Sequence, residues 1–163
     1  MNLKTAQTLA NRVLQLLEPH CERIEIAGSI RRKKAECGDI EIVCIPKPYE
    51  VGLFASGVAL VINNWHKVKG ELPCKYTQRI LPGGATLDIF FAEPDNWGYI
   101  FAIRTGSADY SYKVLASRWK QFGYHGKEGM LHDADNNPVP IREEIELFNL
   151  LNLNYLDPEK RNV

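Results

Sequence analysis

Asp39 and Glu41 stand one residue apart at the head of an apolar run, Ile40-Glu41-Ile42-Val43-Cys44-Ile45. A β-strand repeats every two residues, so both carboxylates point to the same side, while Ile40, Ile42 and Cys44 line the other. Acids at the end of an apolar strand are costly unless that end opens into a cleft. Two adjacent carboxylates repel each other unless they stay solvated or a divalent cation sits between them. Just upstream, Gly28-Ser29 predicts a turn. The basic run Arg31-Arg32-Lys33-Lys34 follows, and Gly38 leads into the strand. Serine and arginine beside such acids suit a phosphate-bearing ligand. The stretch 28–43 is therefore expected to form a metal–nucleotide site.

The surrounding periodicities supply a scaffold. Leu3, Ala6, Leu9, Ala10, Val13, Leu14 and Leu17 recur at helical spacing, and Pro19 closes that helix. A short strand at Ile24–Ala27 delivers the chain to Gly28. Val51, Phe54, Val58, Val61 and Ile62 predict a second helix over 51–64. Lys75–Leu81 and Ala85–Phe91 read as strands joined by the turn Pro82-Gly83-Gly84, hence a hairpin. Within it Asp88 lies among Leu87, Ile89, Phe90 and Phe91, and a single acid in such a strand needs a reason. Pro94-Asp95-Asn96 marks a break and a candidate domain boundary. Beyond it a short helix is expected over 97–103, then a turn at Thr105-Gly106-Ser107 with Ser107 as helix cap. A helix to about Phe122, a strand over 129–132, a turn at 133–137, a short return at 139–141 and a last helix around Ile145–Leu151 complete the reading. The final residues read as an extended, polar-ended tail.

Composition sets few limits. The 163 residues are 45% hydrophobic and 25% charged, which suits a globular chain, and the formal net charge is zero, so any attraction for a polyanion has to be local. Cys21, Cys37, Cys44 and Cys74 form no CxxC pair and are expected to be reduced thiols. No apolar run approaches the roughly 20 residues of a membrane span. His20, His66, His125 and His132 have no ligand spacing. Trp65, Trp97 and Trp119 are expected in the core, and Asp133–Asn137 lacks the Gly and distal Glu of a calcium loop.

Gly28-Ser29, a spacer of nine, Asp39-Ile40-Glu41, and then Leu87-Asp88-Ile89 resemble the signature of the nucleotidyltransferase superfamily. Two later stretches narrow the resemblance to the family X, or polymerase β-like, DNA polymerases. Thr105-Gly106-Ser107 is similar to the turn that starts that family's thumb. The stretch from Glu143-Glu144-Ile145-Glu146-Leu147-Phe148 to Leu153-Asn154-Tyr155-Leu156-Asp157-Pro158-Glu159-Lys160-Arg161 is similar to its closing segment. The resemblance implies an α+β chain. A nucleotidyltransferase palm, a mixed β-sheet backed by two helices, would span 1–95. A small α+β thumb would span 96–163, with no fingers or lyase domain. It implies a DNA-directed DNA polymerase that adds dNMP from dNTP to a primer 3′-hydroxyl, filling gaps in DNA repair.

Carried over residue by residue, the resemblance makes Asp39, Glu41 and Asp88 the ligands of two Mg²⁺ ions, with Mn²⁺ able to substitute, and puts Asp88 nearest the primer 3′-oxygen. Ser29 and Arg32 fall at the positions that hold the triphosphate, beside Gly28 and the backbone at Gly38. Gly106 and Ser107 fall beneath the nucleotide sugar. Arg31, Lys33, Tyr110, Lys113 and Arg118 are candidates for DNA contact. The implied partners are dNTP and primer-template or gapped DNA, with no membrane. The chain is expected to be a monomer, with a weak homodimer as the alternative, and to be cytoplasmic or nucleoid-associated rather than secreted. Four positions depart from the family pattern. Ile103 and Arg104 stand where an aromatic pair precedes the thumb turn, Ser111 where an Asn reads the minor groove, and Thr86 where a basic residue precedes the third acid by two. Three other readings compete: a nucleotidyltransferase acting on RNA ends, a protein or a small molecule; template-independent end addition; and a binding module with a decayed site.

Overall fold

The structure is a computed structural model that describes residues 1–163, and the chain divides into two compact units, Met1–Ala92 and Glu93–Val163. The division falls three residues before the expected boundary at 95. The reason is local: the Ala92 amide donates to the carbonyl of Cys44, while the Glu93 amide donates to the Asn96 side chain. No helix is long and apolar enough to cross a membrane.

The first unit opens with α1, Leu3–Leu17. Asn2 caps it by accepting from the Thr5 amide at 2.9 Å, and its apolar stripe buries Ala6, Ala10, Val13 and Leu17. A 3₁₀ turn around Pro19 leads into β1, Cys21–Ile26, which begins earlier than the expected strand. Gly28-Ser29 is not a simple turn: Gly28–Arg31 forms one helical turn, α2. The other strands are β2 (Ile40–Pro46), β3 (His66–Lys69), β4 (Tyr76–Ile80) and β5 (Thr86–Phe91). They make one mixed sheet in the order β1-β2-β5-β4-β3, in which only β2 and β5 run parallel. The helix α1 packs on β1 and β2, and against α3, Val58–Ile62. Ile40, Ile42, Cys44, Leu87 and Ile89 fill the core from the sheet.

The helix expected over 51–64 is a correction. Only a 3₁₀ turn, Gly52–Phe54, and the five-residue α3 form. Gly57 divides them at φ 60° and ψ −138°, where a Cβ would also lie 2.8 Å from the Cβ of Tyr49. Phe54 consequently stays 82% exposed, although its spacing suggested a place in a buried stripe, and its neighbour Leu53 is 93% exposed. The strand expected from Asp39 starts at Ile40, which leaves Asp39 at its mouth. β3 was not expected, because an edge strand with four exposed residues carries no apolar alternation. All four cysteines are free thiols.

In the second unit, α4 (Trp97–Thr105) packs against α7 (Glu144–Leu150). Ser107 caps α5, Ala108–Tyr110, by accepting from the Tyr110 amide. The helix runs on through a π-helical stretch, Ser111–Ala116, into α6, Ser117–Gln121. Three short antiparallel strands follow: β6 (His125–Lys127), β7 (Met130–His132) and β8 (Pro138–Val139). Asp133 builds the turn between β7 and β8 by accepting from the amides of Asp135 and Asn137. The core contains Tyr99, Leu115, Trp119, Leu131, Leu147 and Phe148. The tail is not merely extended: Arg161 is fully buried there. Trp65, Trp97 and Trp119 are buried, as expected.

Candidate active site in the first unit

The parallel pairing of β2 with β5 brings the acids together. Glu41 and Asp88 are direct partners in that ladder, and a core lies behind them. Asp39, one residue before β2, lies near enough to Asp88 for the charge of Asp88 to raise the cost of charging Asp39. Burial pushes the Asp39 carboxyl above its usual range. The charge of Asp88 pushes the same way, against a backbone hydrogen bond and the opposing charge of Arg32. Glu41 lies over Gly28, where an added Cβ would run into the Glu41 carboxylate. Asp88 thus has Glu41 as its ladder partner and Asp39 as a charge close by, and no three His, Cys, Asp or Glu side chains are arranged to enclose an ion.

Raised proton affinity has a consequence for stability. The folded chain binds a proton at Asp39 more readily than the unfolded chain, so charging this group weakens the fold as pH rises through its folded-state value. Without divalent cations, Asp39→Asn is expected to raise the melting temperature at neutral pH. That gain should shrink on acidification toward the ordinary aspartate range, about 4. A lower melting temperature for Asp39→Asn at neutral pH would contradict the crowding of the two aspartates.

The basic side of the site is built by α2 and the loop after it. Gly28 has φ +61°, and its missing Cβ makes room for Glu41. Gly28→Ala combines backbone strain with displacement of Glu41. It should destabilise the unit by roughly 1–3 kcal/mol in urea denaturation, and an unchanged midpoint would refute the close approach. Ser29 Oγ is buried and makes no hydrogen bond. Leaving a buried hydroxyl without a partner is unfavourable by about 1–3 kcal/mol, so it suits a ligand with acceptor oxygens. Arg32 is partly buried. Desolvation lowers its pKa, while Glu41, Cys37 and Asp39 pull it back up, which places the guanidinium among the acids. Lys33 holds a left-handed backbone at φ 56° and is exposed, and Arg31 is half-buried.

Gly38 is exposed, and nothing lies within 4 Å of where its Cβ would be. With Thr86, Met1, Thr5 and Leu9 it lines a cavity of about 430 Å³. Thr86 and Asp88 are two apart on β5, so they face the same side.

Two residues of the site were not anticipated. Tyr76 Oη donates to Asp88 Oδ1 at 2.5 Å, and Gln78 Nε2 donates to the same oxygen at 2.9 Å. The signal was present, because Gln78 and Asp88 are equidistant from Gly83 at the hairpin turn and pair in the β4–β5 ladder.

Gly106 and Ser107 lie in the second unit. The Gly106 Cα is packed under the Tyr110 ring, and the Ser107 amide donates to the carbonyl of Arg161 at 2.9 Å. Two of the DNA-contact candidates have partners within the unit. Tyr110 is 3% exposed and belongs to the core of its unit, so its ring is not on the surface. Arg118 donates to the carbonyls of Leu151 and Asn152 and lies over the Phe122 ring, so its guanidinium is engaged in tying the helix to the end of α7. Lys113 is exposed and pairs with Asp109 at 3.7 Å. Ser111 donates its hydroxyl to the carbonyl of Ile103. No protein-family model matches the chain, and no curated protein matches it.

Proposed function

We propose that the chain is a nucleotidyltransferase that extends a DNA primer from dNTP, with the first unit as catalytic palm and the second as thumb. The observation that carries this reading is the convergence of Glu41, Asp88 and Asp39 at one end of β2 and β5, beside the unpartnered hydroxyl of Ser29 and the guanidinium of Arg32. The donor set is all oxygen and strongly anionic, and the aspartates already repel each other, so it fits Mg²⁺ or Mn²⁺. Asp39, Glu41 and Asp88 would hold the cations. When bound, two such ions acidify the attacking 3′-hydroxyl and neutralise charge on the triphosphate.

The chain's own groups do the positioning. Ser29 offers its hydroxyl, and Arg32 its fork of donors, to phosphate oxygens, and a guanidinium fork suits such oxygens in pairs. The cavity lined by Gly38 and Thr86, at about 430 Å³, has room for a nucleoside. Positioning and electrostatics are most of what phosphoryl chemistry asks of a protein.

The test is extension of a labelled primer on gapped and on open primer-templates, with dNTP and rNTP in parallel and Mg²⁺ or Mn²⁺ present. Templated dNTP addition is the expected result. Untemplated addition, or labelling of a protein acceptor, would move the chain to another branch of nucleotidyl transfer. DNA binding with no turnover in either metal would leave only a binding module. Ile103 and Arg104 replace the aromatic pair expected before the thumb turn, so the dNTP and rNTP arms should differ less than an aromatic barrier would make them.

A further inference from the structure

Asp88 is 6% exposed, and its Oδ1 accepts two hydrogen bonds from β4. The sheet register sets up both. Gln78 is the direct cross-strand partner of Asp88, and Tyr76 is the partner of Phe90. The Tyr76 ring stacks on Phe90 with centroids 4.9 Å apart and planes 26° apart, and its hydroxyl reaches diagonally to Asp88. Both donors are neutral. An arginine or lysine at either place would hold the carboxylate equally well but would cancel its charge and compete with a cation. A phenol and an amide fix the carboxylate plane and leave the negative charge in place. With Oδ1 engaged twice, Oδ2 is the oxygen left to meet an ion.

We propose that Tyr76 and Gln78 are positioning residues that clamp Asp88 through Oδ1 so that Oδ2 is presented to a divalent cation beside Asp39. The proposal rests on the reading of Asp39, Glu41 and Asp88 as a cation site, and it adds residues outside that carboxylate set. Groups that orient a metal ligand are commonly worth about 10- to 100-fold in affinity or activity.

The experiment uses the full chain and four proteins: native, Tyr76→Phe, Gln78→Met and Asp88→Asn. Tyr76→Phe keeps the ring and its stacking on Phe90 while removing the hydroxyl, and Gln78→Met keeps the length of the side chain. Free Mn²⁺ is followed by electron paramagnetic resonance during titration, and primer extension is measured in parallel. Tyr76→Phe is expected to weaken Mn²⁺ binding about tenfold and Gln78→Met by a similar factor. The loss in extension should fall on kcat, with KM for dNTP nearly unchanged. Mn²⁺ affinity within about twofold of native in both variants would overturn the clamp, since second-sphere losses are larger than that. So would a lower melting temperature with unaltered Mn²⁺ affinity, which marks a purely structural pair, and so would native-like Mn²⁺ binding by Asp88→Asn. If the native chain extends no primer but Tyr76→Phe still weakens Mn²⁺ binding, the clamp stands and the polymerase reading falls.

Discussion

Primer extension in Mg²⁺ is expected to drop by more than about a thousandfold in Asp39→Ala and in Asp88→Ala, because the cation's charge stabilisation of the transition state is worth several kcal/mol and each 1.4 kcal/mol is tenfold in rate. The loss should come without unfolding. Asp39 and Asp88 crowd each other, and removing either one relieves repulsion that the native fold tolerates. An equal or higher melting temperature therefore accompanies the lost activity in Asp39→Ala, whereas Asp88→Ala also takes the acceptor away from Tyr76 and Gln78 and should melt lower while remaining folded; a circular dichroism melt beside the extension assay checks both. Extension near the native rate by either variant would sink the assignment of these carboxylates. Glu41→Ala should lose activity too, but it also removes the side chain that covers Gly28, so it separates chemistry from packing less cleanly.

The second large effect lies in the other unit and concerns stability. The Arg161 side chain is fully buried, and its Nη1 donates to Glu144 Oε2 at 2.5 Å, where the Glu144 side chain is 8% exposed. Its Nε donates to the carbonyl of Leu156 at 2.8 Å. The guanidinium carbon lies 5.0 Å from the centroid of Phe148 and 5.1 Å from that of Tyr155. Removing one partner of such a pair strands the other charge in the interior, so Arg161→Ala and Glu144→Ala should each lose roughly 3–5 kcal/mol. The double change Arg161→Met with Glu144→Leu strands nothing and should recover most of that loss. A urea-denaturation double-mutant cycle measures the coupling. Single losses below about 1 kcal/mol would class the pair with exposed ion pairs and contradict its burial. Because the Ser107 amide donates to the carbonyl of Arg161, the same variants should also loosen the Thr105-Gly106-Ser107 turn.

What could be read from the sequence follows from how local each signal is. The helix over Leu3–Leu17, the hairpin around Pro82-Gly83-Gly84 and the cap at Ser107 rest on near neighbours, and the structure has all three. The acids on β2 and β5 were visible as misfits in apolar strands, but their pairing was not, because it depends on a parallel contact between strands far apart in sequence. The apolar spacing over 51–64 misled because a periodic pattern does not register that Gly57 occupies a backbone region closed to other residues. Tyr110 stood at the start of a helix where contact with DNA and packing were equally open, and its ring packs in the core. Buried cations are the hardest to foresee. Arg79 is 2% exposed and donates to the carbonyls of Ile62, Trp65 and Gly70, and Arg161 is fully buried and donates to the Leu156 carbonyl and the Glu144 carboxylate, partners that only the folded chain brings within reach.

The parallel β2–β5 pair also bears on how the chain acquires its site in time. A tight turn cannot join parallel strands, so Glu41 and Asp88 meet only after the intervening segment has been gathered in. The β4–β5 hairpin is a local unit by contrast, with Tyr76, Gln78 and Asp88 all on board. Closing the long loop is the slower kind of event. A folding intermediate that has formed the hairpin alone would therefore hold one oriented acid and lack the carboxylate cluster on which the proposed function rests.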